Sequence, residues 1–282
     1  MSGDLSDGGL PSFTSPPVVE VVVGIQFAQL PLRAIDLGPL GELWRADYPQ
    51  LAEQPPLEPV PVVDEPPRPL IVIGPPRMPR HVWQSGDESR LLQLQQDRLV
   101  VNWRRPAPAD SYPRFPSLRE ELVGRLDELT AFVKPWGALR PTAVEVIYVN
   151  DLGSGAAAAP SLAEALTPVV AADLPGELVE ERYAAAYRLQ DVPDADAAAA
   201  PAGRGLAQLE VTPSAAQLVV TADPAVQPTG ARTTLLTLTV RAGVPAGTMP
   251  AVMALVDWGH GRIVRCFTAL TTPSMHERWG RE

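Results

Sequence analysis

The sequence predicts an α+β fold made of two similar halves, each contributing antiparallel strands to a sheet that carries helices on one face. Three observations predict it. Residues 18–140 and 141–282 each open on a Val-rich segment with period-two alternation. Each ends on a long stretch with apolar residues at helical spacing. Between these lie short alternating runs separated by turn residues. The two halves are expected to pack as one globular unit, preceded by a disordered tail over residues 1–17, which hold Gly, Ser, Pro and Asp without periodicity.

The first strand is VVEVVVGIQFA, where Val19, Val21, Val23, Ile25 and Phe27 share one parity and Glu20 and Gln26 the other. A helix over roughly 36–48 follows, with Asp36 as its cap and Leu37, Leu40, Leu43 and Trp44 on one side. Residues 55–80 then contain ten prolines, which excludes a helix or a central strand because each proline removes a backbone donor. The segment reads as a stiff connector pressed against its own domain, or as a polyproline ligand for another protein. HVWQ, RLLQLQ and LVVNWRR read as three strands joined by tight turns, with Leu92 and Leu94 alternating against Gln93 and Gln95. Ser117 caps a helix along Leu118, Leu122, Leu126, Leu129 and Val133, and Lys134-Pro135 ends it.

The order then repeats. TAVEVIYVND is the second opening strand, and Ser161 starts a short helix. ELVEERYAAAYRLQ, GLAQLEVT, AQLVVTA and TTLLTLTV are strand candidates, with loops over 191–203 and 223–231. Residues 249–270 form a helix despite Gly259 and Gly261, and PSMHERWG adds a last amphipathic turn. This order resembles that of the TATA-binding-protein-like fold, in which two copies of one unit form a continuous sheet with helices on one face. The resemblance is one of topology and carries no function with it.

Specific segments also resemble a sporadically distributed family of bacterial conserved hypothetical proteins. They are PPVVEVVVGIQFAQL with LGPLGELW, WQSGDESRLLQLQQDRLVVNWR with YPRF, VEVIYVND, and LVDWGHGRIVRCFTALTT with the final ERWG. The resemblance covers the chain from Val18 to Gly280. It implies no activity, cofactor or catalytic residue.

Composition narrows the classes. With 33 acidic against 23 basic residues the net charge is −10, which argues against a nucleic-acid partner, since such proteins need a basic footprint. Lys134 is the single lysine; that arginine bias, with the Ala- and Pro-rich spacers, is the mark of a GC-rich bacterial genome. Cys266 alone cannot make a disulfide framework, and no Cys/His spacing resembles a metal site, so neither a metal nor a cofactor is expected. The first twenty residues lack a basic, apolar leader pattern and no run is long enough to span a membrane, so the expectation is a cytoplasmic protein.

Candidate chemistry is sparse. Asp257 and His260 stand at i and i+3 on the last long helix, where a carboxylate can orient an imidazole, or where both simply cap and pack. Glu20 and Glu145 hold similar places in the two opening strands, so two carboxylates could meet on the sheet. Trp83, Trp103, Arg104 and Arg105 have the composition of a protein–protein hot spot, with core packing of the tryptophans as the alternative. Ser85-Gly86-Asp87-Glu88 reads as a hairpin turn, and His81 as an exposed strand residue. The expectation is a non-catalytic accessory protein that binds a protein or peptide encoded in the same operon, in defence, toxin neutralisation or peptide maturation. The alternative is an enzyme or small-molecule binder working in a groove between the sheet and the long helices. Oligomeric state is beyond the sequence.

Overall fold

Val21, Val23 and Ile25 are fully buried whereas Glu20, Val22 and Gln26 are half-buried, so the alternation read in the first strand is a real two-faced pleat. The computed structural model describes residues 9–59, 78–107, 110–153, 160–169, 181–189, 216–227, 230, 232–244 and 247–282. Among them are nine strands: β1 Val18–Phe27, β2 Gln50–Gln54, β3 Arg80–Gln84, β4 Arg90–Gln95, β5 Arg98–Arg104, β6 Pro141–Asp151, β7 Tyr183–Leu189, β8 Ala216–Val226 and β9 Arg232–Gly243. The helices are α1 Gly38–Trp44, α2 Phe115–Val133, α3 Leu162–Ala165, α4 Met249–Leu270 and α5 Pro273–Trp279. The fold is α+β.

All strands join one open antiparallel sheet in the order β2-β3-β4-β5-β1-β6-β9-β8-β7. The register decides which side chains share a face. Val23 stands opposite Val101 and Val146, and Val21 opposite Trp103 and Tyr148, so these residues line one side of three central strands. Leu92, Trp83, Val240 and Leu218 continue that row outward. The helices pack on this side. Trp44 of α1 meets Trp83 edge-on at 4.9 Å, and its indole N–H donates to Glu128 of α2 at 2.7 Å. Arg90 pairs with Glu121 of α2 at 2.6 Å. Gly259 of α4 lies so close to Val146 that a Cβ there would stand 3.0 Å from Val146 Cγ2. That close approach is the reason a glycine is tolerated in mid-helix.

Several local expectations are corrected. The helix expected over 36–48 is a 3-10 turn at Ala34–Leu37 followed by α1, and Asp36 accepts the Arg33 N–H from within that turn. Helix α2 starts at Phe115, ahead of Ser117, because Pro116 suits its first turn; Ser117 Oγ accepts from Arg90 instead. The sequence patterns missed β2, whose side chains are all exposed and therefore carry no alternation. Strand β8 runs on through Asp223–Val226, paired with Arg232–Leu235, where a loop was expected. GLAQLEVT, the loop at 191–203 and most of the proline connector lie outside the described residues.

The tail expected through residue 17 is corrected for its later part. Thr14 and Ser15 donate to the carbonyls of Gly280 and Trp279, and Glu282 N–H donates to Ser12. Phe13 is buried edge-on against Phe267 and Trp279. Gly280 closes α5 at φ +65°, where a Cβ would collide with Thr14 Oγ1. Residues 12–15, which carry no periodicity in sequence, thus form a clasp with the last amphipathic turn. No described helix is long and apolar enough to cross a membrane.

Candidate functional site

The sheet face opposite the helices carries a polar ladder. Arg80 Nη1 donates to Gln93 at 2.8 Å, Gln93 Nε2 to Asn102 at 2.9 Å, and Asn102 Nδ2 to Glu20 at 3.0 Å, spanning β3, β4, β5 and β1. Burial raises the Glu20 carboxyl pKa, while Asn102 and Arg104 pull it back. Across the centre, Arg241 Nε donates to Glu145 at 2.7 Å. Beyond it lies an uncharged patch of Ile147, Val149, Val219, Thr221 and Thr237 on neighbouring strands, bounded in the next rung by Asp151 and Asp223. Nearer β2, Leu57 and Glu58 cross onto this same face, held by Gln95 and Arg98.

The helix side holds a second feature. Tyr148 of β6 is hydrogen-bonded to His260 Nδ1 of α4 at 2.8 Å and to Tyr112 at 3.0 Å. The His260 ring lies flat on Phe115, centroids 3.9 Å apart. These residues line a cavity of about 80 Å³ together with Leu10, Phe13 and Pro17. Drug-sized ligands need several hundred Å³, so in this state the cavity is small.

The residues singled out by sequence do not gather into one site. Trp83 is 2% exposed, packed on Trp44 and His81, and Trp103 is 3% exposed, tilted against Tyr112. Both sit on the helix side. Arg104, the next residue along β5, points to the opposite face, where it donates to the Glu88 carbonyl at 3.0 Å. Arg105 donates to the Pro16 carbonyl at 3.2 Å. Strand alternation therefore separates neighbours that read as a cluster in one dimension.

Asp257 and His260 do not share a site. Asp257 is exposed and makes a two-pronged pair with Arg119 of α2, at 2.6 and 3.0 Å, while His260 turns inward to Tyr148. Glu20 and Glu145 do lie on one face, but Glu145 faces Gly24 and Glu20 faces Val149. Four residues of strand separate them, about 13 Å, so they cannot share a proton. Ser85 and Asp87 close the β3–β4 turn, their side chains bonded at 2.6 Å. His81 is buried, not exposed, stacked beside Trp83. Cys266 is half-buried, and burial pushes its thiol pKa up. Among the described residues no group of three or more His, Cys, Asp or Glu could hold a metal.

Sequence reasoning missed Tyr112, Tyr148 and Gln95, and offered Arg98 only as part of a small basic patch with Arg104 and Arg105. Tyr148 carried a weak signal, a hydroxyl on the buried parity of β6. Gln95 carried none beyond its place on the polar parity of its strand, beside the Gln96-Asp97 turn. No family model matches the chain, and no curated protein is similar to it.

Proposed function

We propose that this chain is a non-catalytic binding protein that engages a partner protein or peptide, encoded beside it, on the helix-free face of its sheet. The observation that carries the proposal is the one-sided placement of the helices. The second face of the nine-stranded sheet has Val100, Asn102, Glu145 and Thr239 buried at its centre, leaves Ile147, Val149, Val219, Thr221 and Thr237 half-buried, and has the chain's own Leu57–Glu58 as its described covering. That face has the make-up of a recognition surface: a hydrogen-bonded polar ladder from Arg80 to Glu20 beside an uncharged field of Ile147, Val149 and Thr237. Roles in defence, toxin neutralisation or peptide maturation suit such a protein, and the net charge of −10 speaks against nucleic acid as the partner. A cytoplasmic setting accords with the composition.

The finer architecture belongs to the same proposal. Reading outward from β1 and β6, the strand order β5-β4-β3 on one side is answered by β9-β8-β7 on the other. Glu20 opposes Arg104 between the first and last strands of one half, as Glu145 opposes Arg241 in the second. A pseudo-duplicated, TATA-binding-protein-like arrangement accounts for both. Membership of the sporadically distributed bacterial family is likewise a proposal, resting on the PPVVEVVVGIQF, WQSGDESRLLQLQQDRLVVNWR and LVDWGHGRIVRCFTALTT segments.

The test is a pull-down with the products of adjacent genes, using the full chain as bait. Capture of one such product, lost when Thr237→Arg and Ile147→Arg are combined, supports the reading. Capture unaffected by those changes, or none from any neighbour, removes it. A second reading has one observation in its favour. The YPRF, VEVIYVND and VDWGHG segments converge on the cavity through Tyr112, Phe115, Tyr148 and His260, as a small-molecule site would require.

A further inference from the structure

Gln95 and Arg98 stand opposite one another in the register, on either side of the two-residue turn joining β4 to β5. Both are buried, at 3% and 5% exposure, on the helix-free face. What they hold is main chain. Gln95 Oε1 accepts the Leu57 N–H at 2.9 Å, and Gln95 Nε2 donates to the Leu57 carbonyl at 3.2 Å. The same Nε2 donates to Asp97 Oδ1 at 2.6 Å, which sets the carboxamide's orientation. Arg98 Nη2 donates to the Glu58 carbonyl at 2.6 Å and to Gln26 Oε1 at 3.1 Å. No Leu57 or Glu58 side-chain atom takes part in these bonds, so the pair grips extended backbone of any sequence.

Arg98 also lacks a directly bonded anion. Both of these acceptors are neutral, the nearby Glu145 and Asp97 charges act on it from beyond ion-pair distance, and its buried Nε has no acceptor among the described residues. Buried guanidinium groups are normally paired with a counter-charge, because desolvation of the cation is otherwise uncompensated. Nε and Nη2 form one edge of the guanidinium, the fork that holds a carboxylate by two parallel bonds. The Glu58 carbonyl gives that fork one neutral oxygen. A chain ending at this position would give it two oxygens and a negative charge.

We propose that Gln95 and Arg98 form a station for the free C-terminus of an extended partner peptide, with Leu57–Glu58 occupying it in cis. Gln95 takes both backbone groups of the penultimate residue, and Arg98 takes the terminal carboxylate. This inference rests on the binding-protein reading and names the partner's chemistry: an extended segment with a free carboxylate. The cis segment competes at an effective concentration on the order of millimolar, so it acts as an autoinhibitory plug.

The test uses an N-terminally labelled peptide of residues 53–58, EQPPLE, as free acid and as C-terminal amide, with fluorescence anisotropy on the full-length chain. Leu57→Pro removes the N–H that Gln95 accepts and frees the station. That variant is expected to bind the free acid at least about tenfold tighter than the wild type, and the acid about tenfold tighter than the amide. Adding Arg98→Met erases the acid preference, and adding Gln95→Leu weakens both peptides. If Arg98→Met fails to fold, Arg98→Lys keeps the charge without the fork and is expected to lose most of the preference. Equal affinity for acid and amide, or a preference that survives Arg98→Lys or Arg98→Met, overturns the station. A native partner captured equally well by Gln95→Leu overturns it while leaving the binding-protein reading intact. Acid-selective peptide binding without capture of any neighbour's product supports the station and removes the reading of a partner encoded beside the chain.

Discussion

Tyr148 and His260 join the central strand β6 to the long helix α4 by one hydrogen bond of 2.8 Å inside the buried layer. The Tyr148 hydroxyl also meets Tyr112, so one phenol ties together the sheet, α4 and the segment leading into α2. Tyr148→Phe removes both bonds with almost no change of shape. The expected cost is about 1–2 kcal/mol, read as a fall in Tm of about 2–8 °C for a chain of this size. An unchanged melting curve would show that the hydroxyl contributes nothing to the fold.

Two glycines of α4 should respond in opposite directions to alanine. A methyl group added at Gly261 would meet only Leu10 Cδ2, at 3.9 Å, so Gly261→Ala is expected to stabilise by about 0.5–1 kcal/mol through helix propensity. At Gly259 the same gain is opposed by a 3.0 Å contact with Val146, in a layer packed from both sides. Overpacking costs about 1–3 kcal/mol, so Gly259→Ala is expected to destabilise. Urea unfolding of the two variants checks the signs.

Removing Arg241 should harm the protein more than removing its whole ion pair. Glu145 is buried, and Arg241 donates a hydrogen bond to its carboxylate. Arg241→Met strands that carboxylate, at about 2–4 kcal/mol. The double change Glu145→Met with Arg241→Met leaves no orphan charge and is expected to fall within about 1 kcal/mol of wild type. A double-mutant cycle on unfolding free energies measures the difference.

The clasp between the chain ends should loosen in acid. Thr271 Oγ1 donates to the Phe267 carbonyl, so it accepts from His276 Nε2–H, which leaves Nδ1 to accept from Arg281. Burial first, and the Arg281 charge second, hold the His276 pKa below its ordinary 6.5. The folded state therefore favours the neutral ring. Its contribution is fully present above about pH 6.5 and is lost as the pH falls toward and through the folded pKa. Stability measured from pH 7.5 to 5 should decline, and His276→Gln should flatten that decline. A slope unaltered by His276→Gln would place the acid sensitivity elsewhere.

Much of this was legible from local pattern. The alternation of Val21, Val23 and Ile25 fixed which face of β1 is buried, and the apolar stripe of residues 249–270 matched α4 end to end, glycines included. These signals survive in one dimension because pleat and helix repeat every two and 3.6 residues. β2 left no trace because an exposed edge strand needs no alternation, and the pairing of Phe13 with the C-terminus left none because its partners are over 250 residues away.

The sequence by itself determined the α+β class, the order of the elements that carry an apolar period, and the acidic balance that argues against a nucleic-acid partner. The tertiary structure alone decided which side chains meet. Trp103 and Arg104 are neighbours in sequence and lie on opposite faces, whereas Tyr148 and His260 are 112 residues apart and are hydrogen-bonded. Gln95, Arg98, Leu57 and Glu58 come together only because the chain leaving β2 folds back over the strands of the first meander. The reason is physical: periodicity encodes a residue's face, while strand register and the path of the connecting chain encode its neighbours, and those are set by the packing of the whole molecule.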